Sequence, residues 1–425
     1  MRIIEQKESQ VRGYVRSFPV VFDTAKGAEL VDQHGTTYLD FFAGAGTLNY
    51  GHNNPIISEA LIEYLQRDGI VHGLDMGTVA KVDLLQTLTD TILSPRNLEY
   101  KVQFTGPTGT NAVESAMKLA RMVKGRSNIV AFTNGYHGLT MGSLAVTGNS
   151  FYRDESYGLR ANSDFMPFDG YLGPDFDTIA YFRKFLEDGS SGVDLPAAVI
   201  VETVQCEGGV NVASNGWLQR LEALCREYDI LLIIDDIQVG NGRTGPFFSF
   251  ERAGITPDMV CLSKSVGGGL PLAMLLMRPE LDQWQPGEHT GTFRGNNLGF
   301  VAATKALSYW EDDQFTKAIE YKGKIVEDEL NRISEKYADD HDTEVRGVGM
   351  VWGIDFKEPN TAGTVSALAF ERNLVIETSG ADNNVLKFLP PLVIDEDRLR
   401  TGLEIVDQSI GQLIADRKKA FKGVA

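Results

Sequence analysis

Cysteine is scarce, with Cys206, Cys225 and Cys261 the only three in 425 residues. They show no CxxC spacing and sit in apolar surroundings, which argues against a disulfide frame or a zinc site and fits a reducing compartment. Basic residues are outnumbered, 40 to 58, giving a net charge of −18 with lysines and arginines dispersed along the chain. That balance opposes nucleic acid and anionic lipid as partners. No apolar run approaches a membrane span, the longest lying near Leu270–Met277 and Leu231–Ile234, and residues 1–8 lack a secretion-signal core. A soluble, cytoplasmic protein is expected. Histidines number six and show no HExxH spacing. His52, His72 and His289, near glycine-rich turns, read as structural or cleft-wall residues, and His34 and His341 as solvated.

What is present is enough apolar content, 43%, to bury a large core in more than one domain. From Ser58 onward strand patterns alternate with helical ones, which predicts an α/β fold with a mostly parallel sheet between helices. Strands are expected at Val102–Phe104, Ile129–Phe132, Ala197–Val201, Ile230–Ile234, Met259–Leu262 and Ala273–Met277. Beyond about Phe300 come long helical stretches, a strand-like region at Val348–Phe356, a helix near Val365–Arg372, a strand at Val385–Leu389 and a final helix from about Asp397 to Ala415. The reading is therefore a large domain over 58–310 and a smaller α+β domain over 311–425 joined by the N-terminal segment 1–57. No internal repeat or flexible linker interrupts it.

Three strand ends carry chemistry. The run Met259-Val260-Cys261-Leu262 stops at Ser263-Lys264 and three nearby glycines, a way to deliver one amine into a cleft; a snorkelling surface lysine is the plainer alternative. Leu231–Ile234 runs into Asp235-Asp236 at the carboxyl end of a strand, where open α/β sheets bind ligands. Metal binding is one reading of that pair, but adjacent residues on extended chain face opposite sides, so one acid alone would reach the site and would need a cationic partner. Thr105-Gly106-Pro107-Thr108-Gly109-Thr110 opens a helix and suits a phosphate, or is an ordinary capped helix start. Tyr136 follows a strand and offers a ring for stacking, while the small residues Ala43-Gly44-Ala45-Gly46 permit close approach of a ligand or another chain. A lysine, an acid and a phosphate cradle together describe a pyridoxal 5'-phosphate site: Lys264 forms the Schiff base, Asp235 pairs with the pyridinium, and the Gly109 region holds the phosphate.

The chain resembles the class III, or ω-amino-acid, aminotransferases of fold type I. The residues carrying the resemblance are Thr108-Gly109-Thr110, Tyr136-His137-Gly138, Glu202 with Gln205-Cys206-Glu207-Gly208-Gly209, Asp235-Asp236-Ile237-Gln238, Gly242-Arg243-Thr244-Gly245, Ser263-Lys264 and Gly291-Thr292-Phe293-Arg294-Gly295-Asn296. By position, the resemblance implies that Gly109 and Thr110 bind phosphate, Tyr136 stacks on the pyridine and Gln238 bonds its phenolic oxygen. It also implies that Thr292 reaches the phosphate of a second subunit in a homodimer with shared sites, and that Glu207 is a switch acid, releasing its cation for the carboxylate of glutamate. The family's usual switch arginine falls at Lys387, which lacks the planar bidentate fork, and Arg294 is an alternative carboxylate ligand. Val15–Phe22 and Phe41–Pro55 look most like the diaminobutyrate–2-oxoglutarate aminotransferases of ectoine synthesis. The reaction so implied moves the amine of L-glutamate to L-aspartate 4-semialdehyde by a ping-pong scheme, releasing 2-oxoglutarate. The alternatives are a 4-aminobutyrate, ornithine or acetylornithine aminotransferase, or an aminomutase or epimerase on the same scaffold.

Overall fold

A computed structural model describes residues 2–158 and 162–422. Its centre is a seven-stranded sheet. From edge to edge the strands are Lys101–Phe104, Met274–Met277, Met259–Leu262, Leu231–Asp235, Ala198–Val201, Ile129–Phe132 and Ser163–Met166. Met274–Met277 alone runs antiparallel to its neighbours, and the others share one direction. Five of the strands are buried at every position, as continuous Val/Ile/Leu/Met runs require when helices cover both faces. The helix Gly109–Lys124 buries Val113, Ala116, Met117 and Ala120, and Asn215–Glu227, capped by Ser214, buries Trp217, Leu218, Leu221, Leu224 and Cys225. Among the described residues no helix is long and apolar enough to cross a membrane.

Two further four-stranded sheets, and a two-stranded one pairing Val204–Gln205 with Asn211–Val212, accompany it among the described residues. Phe22–Lys26, Glu29–Asp32 and Thr37–Asp40 form a meander, and Thr37–Asp40 then pairs in parallel with Leu374–Val375. Glu344–Val348, Val351–Asp355, Val385–Phe388 and Glu377–Ser379 form an antiparallel sheet, against which Gln314–Lys336 packs.

Three sequence expectations need correction. Ser163–Met166 is an edge strand whose mixed burial hides it from a search for apolar runs. The strand-like region 348–356 holds one strand, Val351–Asp355, which is the second arm of a hairpin: Gly349 takes a left-handed turn (φ +59°) and the first arm, Glu344–Val348, lies ahead of the expected region. His341 is buried at 8% exposure, its ring edge-on to Phe356, because the loop after Gln314–Lys336 folds inward.

Candidate active site

The parallel strands all end on one side of the sheet, and the residues following those ends converge there. Asp235 is the last residue of its strand and registers against Cys261 of the next, so it stands beside the strand that leads to Lys264. Gly109, Thr110, Tyr136, His137, Glu202, Asp235, Gln238 and Lys264 line a single cleft of about 320 Å³.

Lys264 holds a left-handed backbone (φ +51°), which turns the chain out of its strand. Its Nζ donates to the Ala45 carbonyl at 3.0 Å. Burial pushes its amine below the usual lysine range, with Lys387 adding to the effect and Glu207 opposing it. Asp235 is 4% exposed. Its Oδ2 lies 2.7 Å from His137 Nδ1, and its Oδ1 accepts the Ile237 amide at 3.2 Å. Asp236 points the other way, fully buried, and accepts the Ser249 amide at 3.1 Å. Alternation along the strand thus separates the two acids, and among the described residues no cluster of three or more histidine, cysteine, aspartate or glutamate side chains is placed to hold a metal.

At the helix start, Thr108 caps Gly109–Lys124 in a reciprocal arrangement with Asn111. A Cβ on Gly109 would stand 2.9 Å from Ile237 Cδ1, so a side chain here would press on Ile237 at this end of the cleft. The Thr110 hydroxyl sits 2.8 Å from that of Ser143. A buried acid at one end, an amine in the middle and a helix N-terminus at the other fit a pyridine ring carrying an aldehyde and a phosphate.

Glu202 and His137 carry quoted motifs but were given no role by sequence reasoning. Glu202 accepts the Tyr136 amide at 2.9 Å. Burial, and then the neighbouring Asp235, push its carboxyl well above the ordinary range. Beyond Tyr136 the space opens into a second cavity of about 640 Å³ lined in part by Tyr14, Tyr136, Tyr152, Glu207 and Glu377. Gln238 bridges the two, donating to the Ala45 carbonyl and to Glu207 Oε1, each at 2.9 Å.

Behind Glu207 lies Lys387, fully buried, with Nζ at 2.7 Å from Glu207 and 3.0 Å from Glu377. Burial works to raise Glu207, but Lys387 and Lys264 outweigh it and hold the carboxyl down to about 2. Burial likewise works to lower Lys387, and the two carboxylates carry it above the lysine range. No local signal marks Glu377; it is found only through its strand pairing with Lys387.

Other expected residues lie elsewhere. Gly44 belongs to Ala43–Gly46, a turn whose residues all take positive φ, and that turn aims the Ala45 carbonyl at Lys264 and Gln238. Thr292 is exposed and its carbonyl lies 3.0 Å from His72 Nε2. Arg294 lines a separate cleft with Asp75, Lys101 and Trp284, away from Glu207 and Lys387 of the same chain.

Residues 11–410 match the family model described as aminotransferase class-III. The chain is 62% identical over 418 residues to the diaminobutyrate–2-oxoglutarate transaminase of Wolinella succinogenes, covering 98% of each. It is 56% identical over 415 residues to that of Halomonas elongata, covering 97% of this chain and 99% of the relative. Among solved structures, the ornithine aminotransferase of Toxoplasma gondii, described with pyridoxal phosphate partly occupying its active site, superposes with a TM-score of 0.84 at 26% identity, covering 98% of this chain and 95% of that one. An aminotransferase of Bacillus anthracis gives the same TM-score at 23% identity, with 97% of each chain covered, a likeness of fold. With the family's lysine, acid and helix-start motifs meeting in one cleft and its model spanning nearly the whole sequence, the chain belongs to the class III aminotransferases.

Proposed function

We propose that this enzyme transfers the amino group of L-glutamate to L-aspartate 4-semialdehyde, giving L-2,4-diaminobutyrate and 2-oxoglutarate, with pyridoxal 5'-phosphate as cofactor. The observation carrying it is that Lys264, Asp235 and Gln238 share one cleft and that Gln238 links it to the Glu207–Lys387 pair. The near full-length likeness to transaminases of that name supports the substrate.

The cofactor, when bound, supplies an aldehyde that condenses with amines and a protonated ring that draws electrons from the substrate carbon. Lys264, its amine lowered by burial, is the base that takes a proton from the substrate carbon and returns it. Asp235 is the anion that keeps the ring nitrogen protonated, held in place by His137. Glu202 holds the Tyr136 backbone in place through its amide. Gly109 and Thr110 receive the phosphate, and Tyr136 covers the ring. Glu207 masks Lys387 while an amino-aldehyde or diamine is bound, and leaves it for the carboxylate of glutamate. Lys387, behind Glu207, suits that role better than Arg294 on its separate cleft.

The same reading takes residues 1–57 and 311–425 as one small unit beside the 58–310 cofactor domain. It takes the protein as a cytoplasmic homodimer in which Thr292 of each subunit completes the other's phosphate site, and it places the reaction in ectoine biosynthesis. An amino-acceptor screen with glutamate as donor tests it: aspartate semialdehyde should exceed succinate semialdehyde and glutamate semialdehyde, with one 2-oxoglutarate released per turnover. Replacing Lys264 with alanine should abolish turnover, and preferred use of another semialdehyde or an active Lys264→Ala enzyme sinks the assignment.

A further inference from the structure

The cluster around Lys387 contains one ammonium and two carboxylates. Lys387, on Val385–Phe388, registers directly against Glu377 of the neighbouring antiparallel strand, which sets their side chains on one face within reach of each other. Glu207 approaches from its loop, tied by its carbonyl to the Gly380 amide at 3.0 Å. The Glu207–Lys387 contact, at 2.7 Å, already neutralises both partners. Glu377 is therefore a surplus acid in a closed place, 6% exposed.

Its bonding is correspondingly incomplete. Oε1 is closed off from solvent and pairs with Lys387 Nζ at 3.0 Å, and Oε2 accepts the Tyr14 hydroxyl, at 3.3 Å. A carboxylate has about four acceptor positions, so Glu377 keeps unused capacity at the wall of the 640 Å³ cavity that it shares with Tyr14 and Glu207. Two carboxylates share the single ammonium of Lys387, so the cluster is short of positive charge, and a cationic ligand in that cavity would supply it.

We infer that Glu377 is a specificity-determining residue whose carboxylate receives the unreacting ammonium of an amino acid or aldehyde bearing an amine remote from its reacting carbon. The inference rests on the function proposed above and deepens it: L-2,4-diaminobutyrate and L-aspartate 4-semialdehyde carry such an ammonium, and 4-aminobutyrate and succinate semialdehyde do not. Glutamate brings a second carboxylate and no remote ammonium, so Glu377 has to be neutral when glutamate occupies the site. Burial, opposed by Lys387, raises its carboxyl to about 7, which makes a proton available near neutrality. The charged and titratable groups facing it are Lys387, Glu207, Lys264, Tyr14 and Tyr152. One residue thus matches the charge of the site to both half-reactions, ionised for the diamine and protonated for the dicarboxylate.

L-2,4-diaminobutyrate and 4-aminobutyrate differ by this one ammonium, and they are the probes. Holoenzyme of wild type, Glu377→Gln and Glu377→Asp is assayed with each as amino donor to 2-oxoglutarate, or as competitive inhibitor where turnover is too slow to follow. Glu377→Gln should raise KM for diaminobutyrate by about 10- to 100-fold with little change in kcat, the loss expected for a hydrogen bond to a charged group. Its kcat/KM for 4-aminobutyrate should stay level or rise, and Glu377→Asp, which keeps the charge, should retain more of the preference than Gln. An equal fall for both donors, or Asp and Gln variants that behave alike, overturns the inference and leaves Glu377 as a support for Lys387. If Glu377→Gln does not fold, the wild type alone decides: a kcat/KM for diaminobutyrate less than about tenfold above that for 4-aminobutyrate overturns it too. A wild type that uses other amino donors but not diaminobutyrate refutes the proposed function itself, whereas an unchanged donor ratio in an enzyme that uses diaminobutyrate refutes the role of Glu377 alone.

Discussion

Two adjacent acids show how much one residue of offset decides. Asp235 and Asp236 share a strand end, a charge and near-total burial, yet one faces the cleft with His137 and the other faces the interior with Ser249. Asp236 has one oxygen on the Ser249 amide and the other without a partner, and burial raises its carboxyl to about 7. A raised carboxyl binds its proton more tightly folded than unfolded. Its contribution to stability is therefore complete below the ordinary carboxylate range near 4 and is lost as pH climbs through 7. Asp236→Asn keeps the shape and removes the titration. Thermal or denaturant unfolding of the variant and the wild type should agree near pH 4 and diverge by roughly 1–3 kcal/mol in favour of the variant by pH 8; a gap that does not change with pH shows the charge to be compensated. The alternation separating these acids was legible in the sequence, because a strand period of two is a local property. The cluster of Glu207, Glu377 and Lys387 was legible only in part: Glu207 and Lys387 came from the family resemblance, 180 positions apart, and Glu377 had no motif to announce it. His137 escaped for the same reason, since its partner lies 98 positions away.

Elements in this fold matter mainly for where they stop. Buried strands written as unbroken apolar runs were readable from composition alone, and so were the residues at their ends. The irregular connections were not. After Val385–Phe388 the chain enters Pro390-Pro391-Leu392-Val393-Ile394, held by two buried cations that have backbone carbonyls as partners. Arg243 donates to the carbonyls of Pro390 at 2.6 Å and Met350 at 3.0 Å and to Asn49 Oδ1 at 2.5 Å. Lys322 donates to the carbonyls of Leu392 and Ile394. Burial lowers Arg243 to about 9 and Lys322 to about 8, so both remain charged at neutral pH. A sequence pattern pairs cations with acids, and neither residue has one as a hydrogen-bond partner among the described residues, so the clamp was invisible beforehand. It joins Asn49 of the N-terminal segment, the loop after Leu231–Asp235 and the strands around Lys387. Arg243→Met fills the volume but strands three buried acceptors, and relief from burying the charge offsets only part of that cost. The expected loss is roughly 2–4 kcal/mol in denaturant unfolding, with a fall in activity from the displaced Lys387; unchanged stability means that water replaces the guanidinium.

Among the apolar residues that the described chain exposes, two groups bear on the candidate phosphate site. Ile70, Val71, Leu74, Met76, Val79 and Val82 are exposed within one short stretch, and His72 of that stretch packs edge-on against exposed Phe293, beside Thr292. Leu139 and Met141 are exposed beside Thr140, whose hydroxyl meets that of Thr110 at the candidate phosphate cradle. In the proposed homodimer, an isologous arrangement laying the first patch over the second would cover both and carry Thr292 of one subunit to the cradle of the other. Complementation tests this arrangement without needing any structure of the dimer. Thr292→Glu sets a carboxylate where a phosphate is expected and should disable every site in its own homodimer, while Lys264→Ala removes the amine from every site in its own. In a hybrid of the two, one site takes Lys264 from the first variant and Thr292 from the second and is intact, and the other site carries both defects. Co-refolding equal amounts makes half the dimers hybrid, so the mixture should recover about a quarter of wild-type activity while each parent stays inactive. A mixture that remains inactive, although exchange into hybrids is demonstrated by differently tagged subunits, places each active site within a single chain.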